Sequence, residues 1–273
     1  NGCFETMRAY GGRIFRLDAH LDRLWGSAQD LGVRLPWDRS EGARQLRRAL
    51  ASSALKEAVV RIALLPQPDG RTTPSIVVQP AALPTASAYR RGIALAVVPT
   101  RTHPVSTIDN QAKYSARLAS VMAVADAQLR GADEALWIDA LGYVTESTAS
   151  NFGMIRGQTI VTPPCWLGLL SGITRDILCE LAQSLRIPLH ELPLTRHDVY
   201  NADEAFLPRT LKEILPVTPV DGRRIGTGDC LQAGRGGGVR SDGRIGNRRV
   251  VRRRRWGLHS GGRVSRSERR ALL

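Results

Sequence analysis

The run Leu136-Trp-Ile-Asp-Ala-Leu-Gly-Tyr-Val-Thr-Glu-Ser-Thr-Ala-Ser-Asn-Phe-Gly-Met-Ile-Arg-Gly-Gln-Thr-Ile-Val-Thr162 decides how this chain folds. Within it, Leu136–Asp139, Gly142–Thr145, Phe152–Arg156 and Thr159–Thr162 are apolar stretches of strand length separated by turn residues. Helical periodicity brackets the run. Ser115–Arg130 repeats apolar residues at Leu118, Val121, Met122, Ala125 and Leu129, the side expected to face inward. Ile173–Leu185 does the same at Ile173, Ile177, Leu178, Leu181 and Leu185. Further strands are expected at Gly92–Val98, Glu204–Leu207 and Val217–Val220, the last followed by an Asp221-Gly222 hairpin turn. Strands interleaved with helices in this way predict an α/β (α+β) chain.

Residues 1–83 read as a smaller α/β unit. Asp18 is expected to cap a helix whose stripe is Leu21, Leu24, Trp25, Ala28 and Leu31, ending near Gly32. A second helix is expected over about 41–55, a buried strand over Ala58–Leu65 and another over Ser75–Gln79. Residues 84–91 suit an interdomain linker, leaving 92–228 as a larger domain and a cleft between two lobes, the usual place for a cofactor. Over 229–273 both periodicities vanish, with Gly234-Arg-Gly-Gly-Gly238 and Val251-Arg-Arg-Arg-Arg255, so disorder is expected.

Charge follows the same division. The net charge is +14, but residues 230–273 hold 13 arginines against Asp242 and Glu268, so the body is nearly neutral. The four cysteines show no Cys-x-x-Cys pair, which fits a reducing cytoplasm rather than a disulfide frame. No apolar run approaches membrane-spanning length, and the start of the chain shows no export signal, so a cytoplasmic location is expected. The five histidines have no metal-ligand spacing, and no Walker or dinucleotide glycine motif occurs.

Three of the 39 basic residues are lysines: Lys56, Lys113 and Lys212. An arginine cannot lose its proton and condense with an aldehyde, whereas a lysine can, and Lys113 lies at the mouth of an apolar helix. On position alone a solvated lysine is the commoner reading. Glu146 follows the strand Tyr143-Val-Thr, where a carboxylate could hold a proton on a ring nitrogen or simply face solvent. Gly172-Ile173-Thr174 opens a helix, so its free N–H groups and dipole could bind an anion, unless Ser171 or Thr174 caps it. Arg23 could be the anion's positive partner or a surface group, and Thr210 an anion donor or a capping threonine.

The order of Phe4-Glu-Thr-Met-Arg-Ala-Tyr10, His20-Leu-Asp-Arg-Leu24, Gly131-Ala-Asp-Glu-Ala135, Gly142-Tyr-Val-Thr-Glu146, Gly172-Ile-Thr-Arg-Asp176 and Ala202-Asp-Glu-Ala-Phe206 resembles the class IV aminotransferases. The likeness runs from about Gly2 to Gly228. It implies the two-domain D-amino-acid aminotransferase-like fold (fold type IV), pyridoxal 5'-phosphate as cofactor, and a homodimer. Carried over by position, Lys113 resembles the cofactor-bonding lysine and proton shuttle, and Glu146 the partner of the pyridine nitrogen. Arg23, Ile173, Thr174 and Thr210 resemble the phosphate holders, and Arg209 and Leu211 fall at substrate-binding positions. The implied reaction is ping-pong transamination between a branched-chain or D-amino acid and a 2-oxo acid.

Several positions depart from the family. Pro66-Gln-Pro-Asp-Gly70 stands where D-specific enzymes carry Arg and His, and Arg117-Leu118 where branched-chain enzymes carry an aromatic. Pro208-Arg209 replaces small residues before Thr210, so Arg209 would narrow the pocket or bind a carboxylate. The chain begins inside what resembles a Gly-Asp-Gly-x-Phe-Glu segment, so a first strand is expected to be missing; after Gly228 the tail resembles an overrun reading frame. Three readings stay open: the transaminase, an aminodeoxychorismate lyase with the same cofactor, and a truncated inactive product whose basic tail binds nucleic acid weakly; a functional nucleic-acid arm is disfavoured because Trp256 is the tail's one aromatic.

Overall fold

The computed structural model describes residues 2–226. The tail expected to be disordered, 229–273, lies outside the described residues. Two sheets organise the rest, both within one compact unit.

The first sheet is antiparallel, in the order β2-β1-β3-β4, from β1 (Cys3–Tyr10), β2 (Arg13–Ile14), β3 (Ala58–Pro66) and β4 (Thr72–Pro80). Helices α1 (Leu17–Asp30) and α2 (Arg39–Ser52) close its core around Met7, Leu21, Leu24, Leu46, Ile62 and Leu64. Each such side chain contributes about 1.5–3 kcal/mol of apolar burial. Asp18 does not cap α1. It lies in the first turn, and the N-cap is Arg16, in the left-handed region at φ 51°. Leu31, expected on the buried stripe, falls past the last turn and is exposed. The side chain of Asp38, accepting from the Glu41 N–H, starts α2 earlier than the apolar pattern suggests.

The second sheet is mixed, in the order β11-β10-β9-β13-β14-β5-β6-β7-β12, with β8 on β7 and β15 on β14. Its strands are β5 (Ile93–Val97), β6 (Glu134–Ile138), β7 (Tyr143–Ser147), β8 (Ser150–Asn151), β9 (Gly153–Arg156), β10 (Thr159–Thr162), β11 (Leu189–Glu191), β12 (Leu194–Thr195), β13 (Glu204–Arg209), β14 (Glu213–Val220) and β15 (Arg223–Arg224). The four strands expected between 136 and 162 form as β6, β7, β9 and β10. Asp221-Gly222 is the two-residue turn joining β14 to β15, with both residues at positive φ, 50° and 72°. The expected linker is not all irregular: α3 (Ala86–Arg91) occupies most of it.

Helix α4 (Leu118–Leu129) reverses its expected orientation. Leu118, Val121, Met122, Ala125 and Leu129 are all exposed, while Ala123 and Ala127 are buried against Ala96, Ala135 and Trp137. Periodicity marks a stripe but not the side that packs. Here the alanine face sits close on the sheet. Helix α5 (Ile173–Ser184) buries Ile173, half-buries Ile177, Leu178 and Leu181, and leaves Leu185, past its end, exposed. Helix α6 (Arg196–Tyr200) completes the set.

Candidate active site

Lys113 is not at a helix start. It lies in an extended segment, five residues before α4, that runs along β1: Phe4 N–H donates to the Lys113 carbonyl (3.1 Å) and Ser115 N–H to the Gly2 carbonyl (2.8 Å). The Lys113 N–H donates to Ser27 Oγ (2.9 Å), and Nζ stands 5.2 Å from the Phe4 ring centre. The preceding residues are latched to the loop before α5. Gln111 donates to the Leu169 carbonyl (2.7 Å) and accepts from Ser171 N–H (3.2 Å), while Asn110 donates to the Gly168 carbonyl (2.8 Å). Burial first, then the charges of Arg23 and Arg117, pull the Lys113 amine down to about 8, against the opposing pull of Glu5 and Glu146.

Glu146 sits within β7, opposite Asn151 of β8. Its Oε2 accepts from Asn151 Nδ2 (3.1 Å) and, at 3.4 Å, from Leu170 N–H. Burial pushes its carboxyl up to about 7, opposed by Lys113, the Leu170 N–H, Arg117 and Arg23. The amine and the carboxyl therefore lie each within the other's field.

Arg23 is not a free surface group. Its Nε and one Nη grip both oxygens of Glu5 (2.6 and 3.0 Å), and the other Nη donates to the Ser171 carbonyl (2.8 Å), at the entrance to α5. His20 Nδ1 meets Glu5 Oε2 at 2.8 Å. Burial disfavours the Glu5 carboxylate, yet His20 and Arg23 outweigh it and hold Glu5 at about 2. Burial lowers the proton affinity of His20 against the opposing pull of Glu5, and its Nε2 has no partner among the described residues.

No side chain caps α5, so neither Ser171 nor Thr174 fills that role. The N-cap is Gly172, and a Cβ there would lie 1.8 Å from Asn151 Oδ1. The N–H groups that open the helix at Ile173 and Thr174 thus stand behind a glycine, beside Arg23. Thr210 and Leu211 lie half-buried in the turn between β13 and β14. Among the described residues, no hydrogen bond joins the Thr210 side chain to the Lys113 cluster. Arg209 pairs with Glu134 at 3.6 Å. The structure brings Lys113, Glu146, Arg23 and the α5 entrance together, with Glu5, His20, Asn151 and Gln111 as supports that the sequence reading did not single out. The i, i+3 spacing of His20 and Arg23 was a legible sign of a shared face. Their meeting with Glu5 on another element was not.

An amine easily deprotonated, a carboxyl that holds its proton near neutrality and an uncapped helix entrance beside a guanidinium can serve an aldehyde on a basic heterocycle with an anionic arm. The residues present fit such a group, and that chemistry defines the class. The chain belongs to the amino-transferase class IV family, whose sequence model matches residues 2–220. It is similar to the branched-chain-amino-acid aminotransferase of Pseudomonas aeruginosa, 34% identical over 241 residues, covering 83% of this chain and 78% of that protein. Among solved structures it is similar to the branched-chain aminotransferase of Thermoproteus uzoniensis with norvaline (33% identity, TM-score 0.76, 83% of this chain and 80% of that one). It is also similar to a T.th. branched-chain amino acid aminotransferase with pyridoxamine 5'-phosphate (28% identity, TM-score 0.79, 83% and 79%). The protein is therefore an enzyme, a transaminase of the class that works with pyridoxal 5'-phosphate, on the fold of that class.

Proposed function

We propose that the protein exchanges an amino group between an amino acid and a 2-oxo acid in two half-reactions at the Lys113–Glu146 pocket. The observation that carries this reading is the meeting of Lys113, Glu146 and Arg23 with the uncapped entrance of α5, where burial draws the amine down to about 8 and pushes the carboxyl up to about 7. Pyridoxal 5'-phosphate, when bound, supplies an aldehyde and an electron-accepting ring. Lys113 is the amine that would bond it and then carry the proton at the substrate's α-carbon, because burial leaves about a tenth of its Nζ unprotonated at pH 7, far more than in an ordinary lysine. Glu146 would keep a proton at the ring nitrogen, held in place by Asn151. Arg23, the N–H groups of Ile173 and Thr174, and Thr210 would bind the phosphate. Glu5 and His20 orient Arg23.

The relatives' names support branched-chain amino acids as donors. We also propose a homodimer: the outward apolar stripe of α4, from Leu118 to Leu129, is a surface that a second copy would cover. The test is a donor screen of the cofactor-loaded protein with branched-chain L-amino acids, D-alanine and aminodeoxychorismate, each with and without a 2-oxo acid. Acceptor-dependent turnover that vanishes in Lys113→Ala is the expected result. Pyruvate released without an acceptor would replace this reading with a lyase. A Lys113→Ala protein that still bonds the cofactor, as read by borohydride reduction and peptide mass, would overturn the assignment of Lys113.

A further inference from the structure

A cavity of about 700 Å³ opens beside the start of β7, at the end of that strand away from Glu146. Gly142, on its wall, directly precedes β7, so Glu146 lies about 13 Å further along the strand. Four segments far apart in the chain meet there. Arg130 comes from just past α4, Gly142 from the turn before β7, Arg196 and His197 from α6, and Asp221 and Arg223 from the β14–β15 hairpin. The volume falls in the range of small-molecule sites.

The charge there is unbalanced. Arg130, Arg196 and Arg223 are exposed on the cavity wall, and among the described residues none of them pairs with a carboxylate. Arg223 lies 4.6 Å from the Tyr200 ring centre, and its Nη1 donates to the Asp221 carbonyl (3.4 Å). Burial and Asp221 raise the proton affinity of the Tyr200 hydroxyl, while Arg223 and Arg196 both oppose them, so the two guanidiniums lie near the same group. Asp221 is already committed, its carboxylate accepting from Val97 N–H (2.8 Å) and from the Tyr200 hydroxyl (2.6 Å). Asp198 is held by Arg156 (2.7 Å) and by the Thr195 hydroxyl (2.7 Å). The Thr195–Asp198 capping box also fills the start of α6, which leaves recognition to side chains. Three guanidiniums that cannot shed their charge thus face one carboxylate turned to other partners.

We infer that this cavity is an anion site separate from the Lys113 cluster, and that it takes a chain of two or more phosphates, free or carried by a nucleotide. Planar guanidinium forks match phosphate oxygens in pairs, and a chain of phosphates reaches more of them than a single phosphate does. A triphosphate also carries enough negative charge to balance all three arginines. Because the pairs are exposed, the affinity is modest and falls as salt rises.

The test is modification of arginines by phenylglyoxal in the full chain incubated with pyridoxal 5'-phosphate, followed by peptide mass analysis. Reading each arginine separately keeps this cavity apart from the α5 entrance and from the arginine-rich stretch 230–273. The probes are orthophosphate, triphosphate and ATP at matched ionic strength, without divalent cations. Triphosphate is expected to protect Arg130, Arg196 and Arg223 together at about a tenth of the orthophosphate concentration, while the exposed Arg34 and Arg48 react as before. Arg196→Ala should raise the concentration that protects the other two by about threefold, and Arg130→Ala should do the same for Arg196 and Arg223. ATP acting below the triphosphate concentration assigns the ligand to nucleotides; ATP acting at or above it assigns the phosphate chain alone. Three outcomes each overturn the site: protection spread equally over Arg34 and Arg48, no difference between orthophosphate and triphosphate, or three arginines that never react because another copy of the chain covers them.

Discussion

The amine of Lys113 should titrate far below an ordinary lysine, and the chain's composition makes this unusually easy to measure. Burial, joined by Arg23 and Arg117, brings the group from 10.5 to about 8. That difference corresponds to about 3 kcal/mol between its charged and neutral forms. At pH 8 about half of the Lys113 amine would be neutral, against roughly 0.4% of an ordinary lysine. A weaker base is also a weaker nucleophile, as for thiolates, which trims the net advantage in rate to about tenfold. The midpoint is therefore the better readout. Competitive acetylation of the cofactor-free protein from about pH 6 to about 11, followed by peptide mass analysis, reads Lys56, Lys113 and Lys212 separately, because there are no other lysines. Lys113 should show a midpoint near 8. The linkage has a definite sign. The folded-state value lies below the unfolded one, so the cost to stability is full below about 8 and is relieved as pH rises toward 10.5. Lys113→Met should accordingly stabilise the cofactor-free protein by up to about 3 kcal/mol at neutral pH and by progressively less in alkali. A Lys113 midpoint at or above about 10, or a Lys113→Met protein whose gain in stability over the unsubstituted protein is no larger at pH 7 than at high pH, would refute the claim that burial desolvates this amine.

Glu5 gives the opposite limb. Its carboxylate, held at about 2 instead of 4.5, contributes stability that is present above 4.5 and lost as pH falls toward 2, about 3 kcal/mol in all. Urea unfolding across that range should show this acid loss, and Glu5→Gln should flatten it while also loosening Arg23 from its place at the α5 entrance. Replacing Val121 and Leu129 together by Asp, on the exposed stripe of α4, should leave the circular dichroism unchanged and halve the mass in sedimentation. An unchanged mass removes this stripe from the subunit interface.

The sequence exposed the elements whose patterns are local. The short strands between 136 and 162, the Asp221-Gly222 turn and the start of a helix at Ile173 each depend on residues close in the chain, and each forms as read. Orientation was less legible, because it is set by partners far along the chain. The stripe of α4 had the correct period, yet the small face of Ala123 and Ala127 packs and the large one does not. Nothing local to the helix decides between a close alanine seam against a sheet and a leucine seam against a second subunit. The same limit governed the site. Lys113, Glu146, Arg23 and the α5 entrance could be picked out one at a time, each with an ordinary alternative. What removes those alternatives is spatial: Glu5 of β1 clamps Arg23 of α1 onto the carbonyl of Ser171, and Asn151 of β8 both supports Glu146 and fits only against a glycine at 172. A lone arginine is usually solvated, and a lone helix entrance is usually capped by its own side chains. Here the arginine is committed to the entrance and the entrance is left bare, so each of the two features accounts for the other.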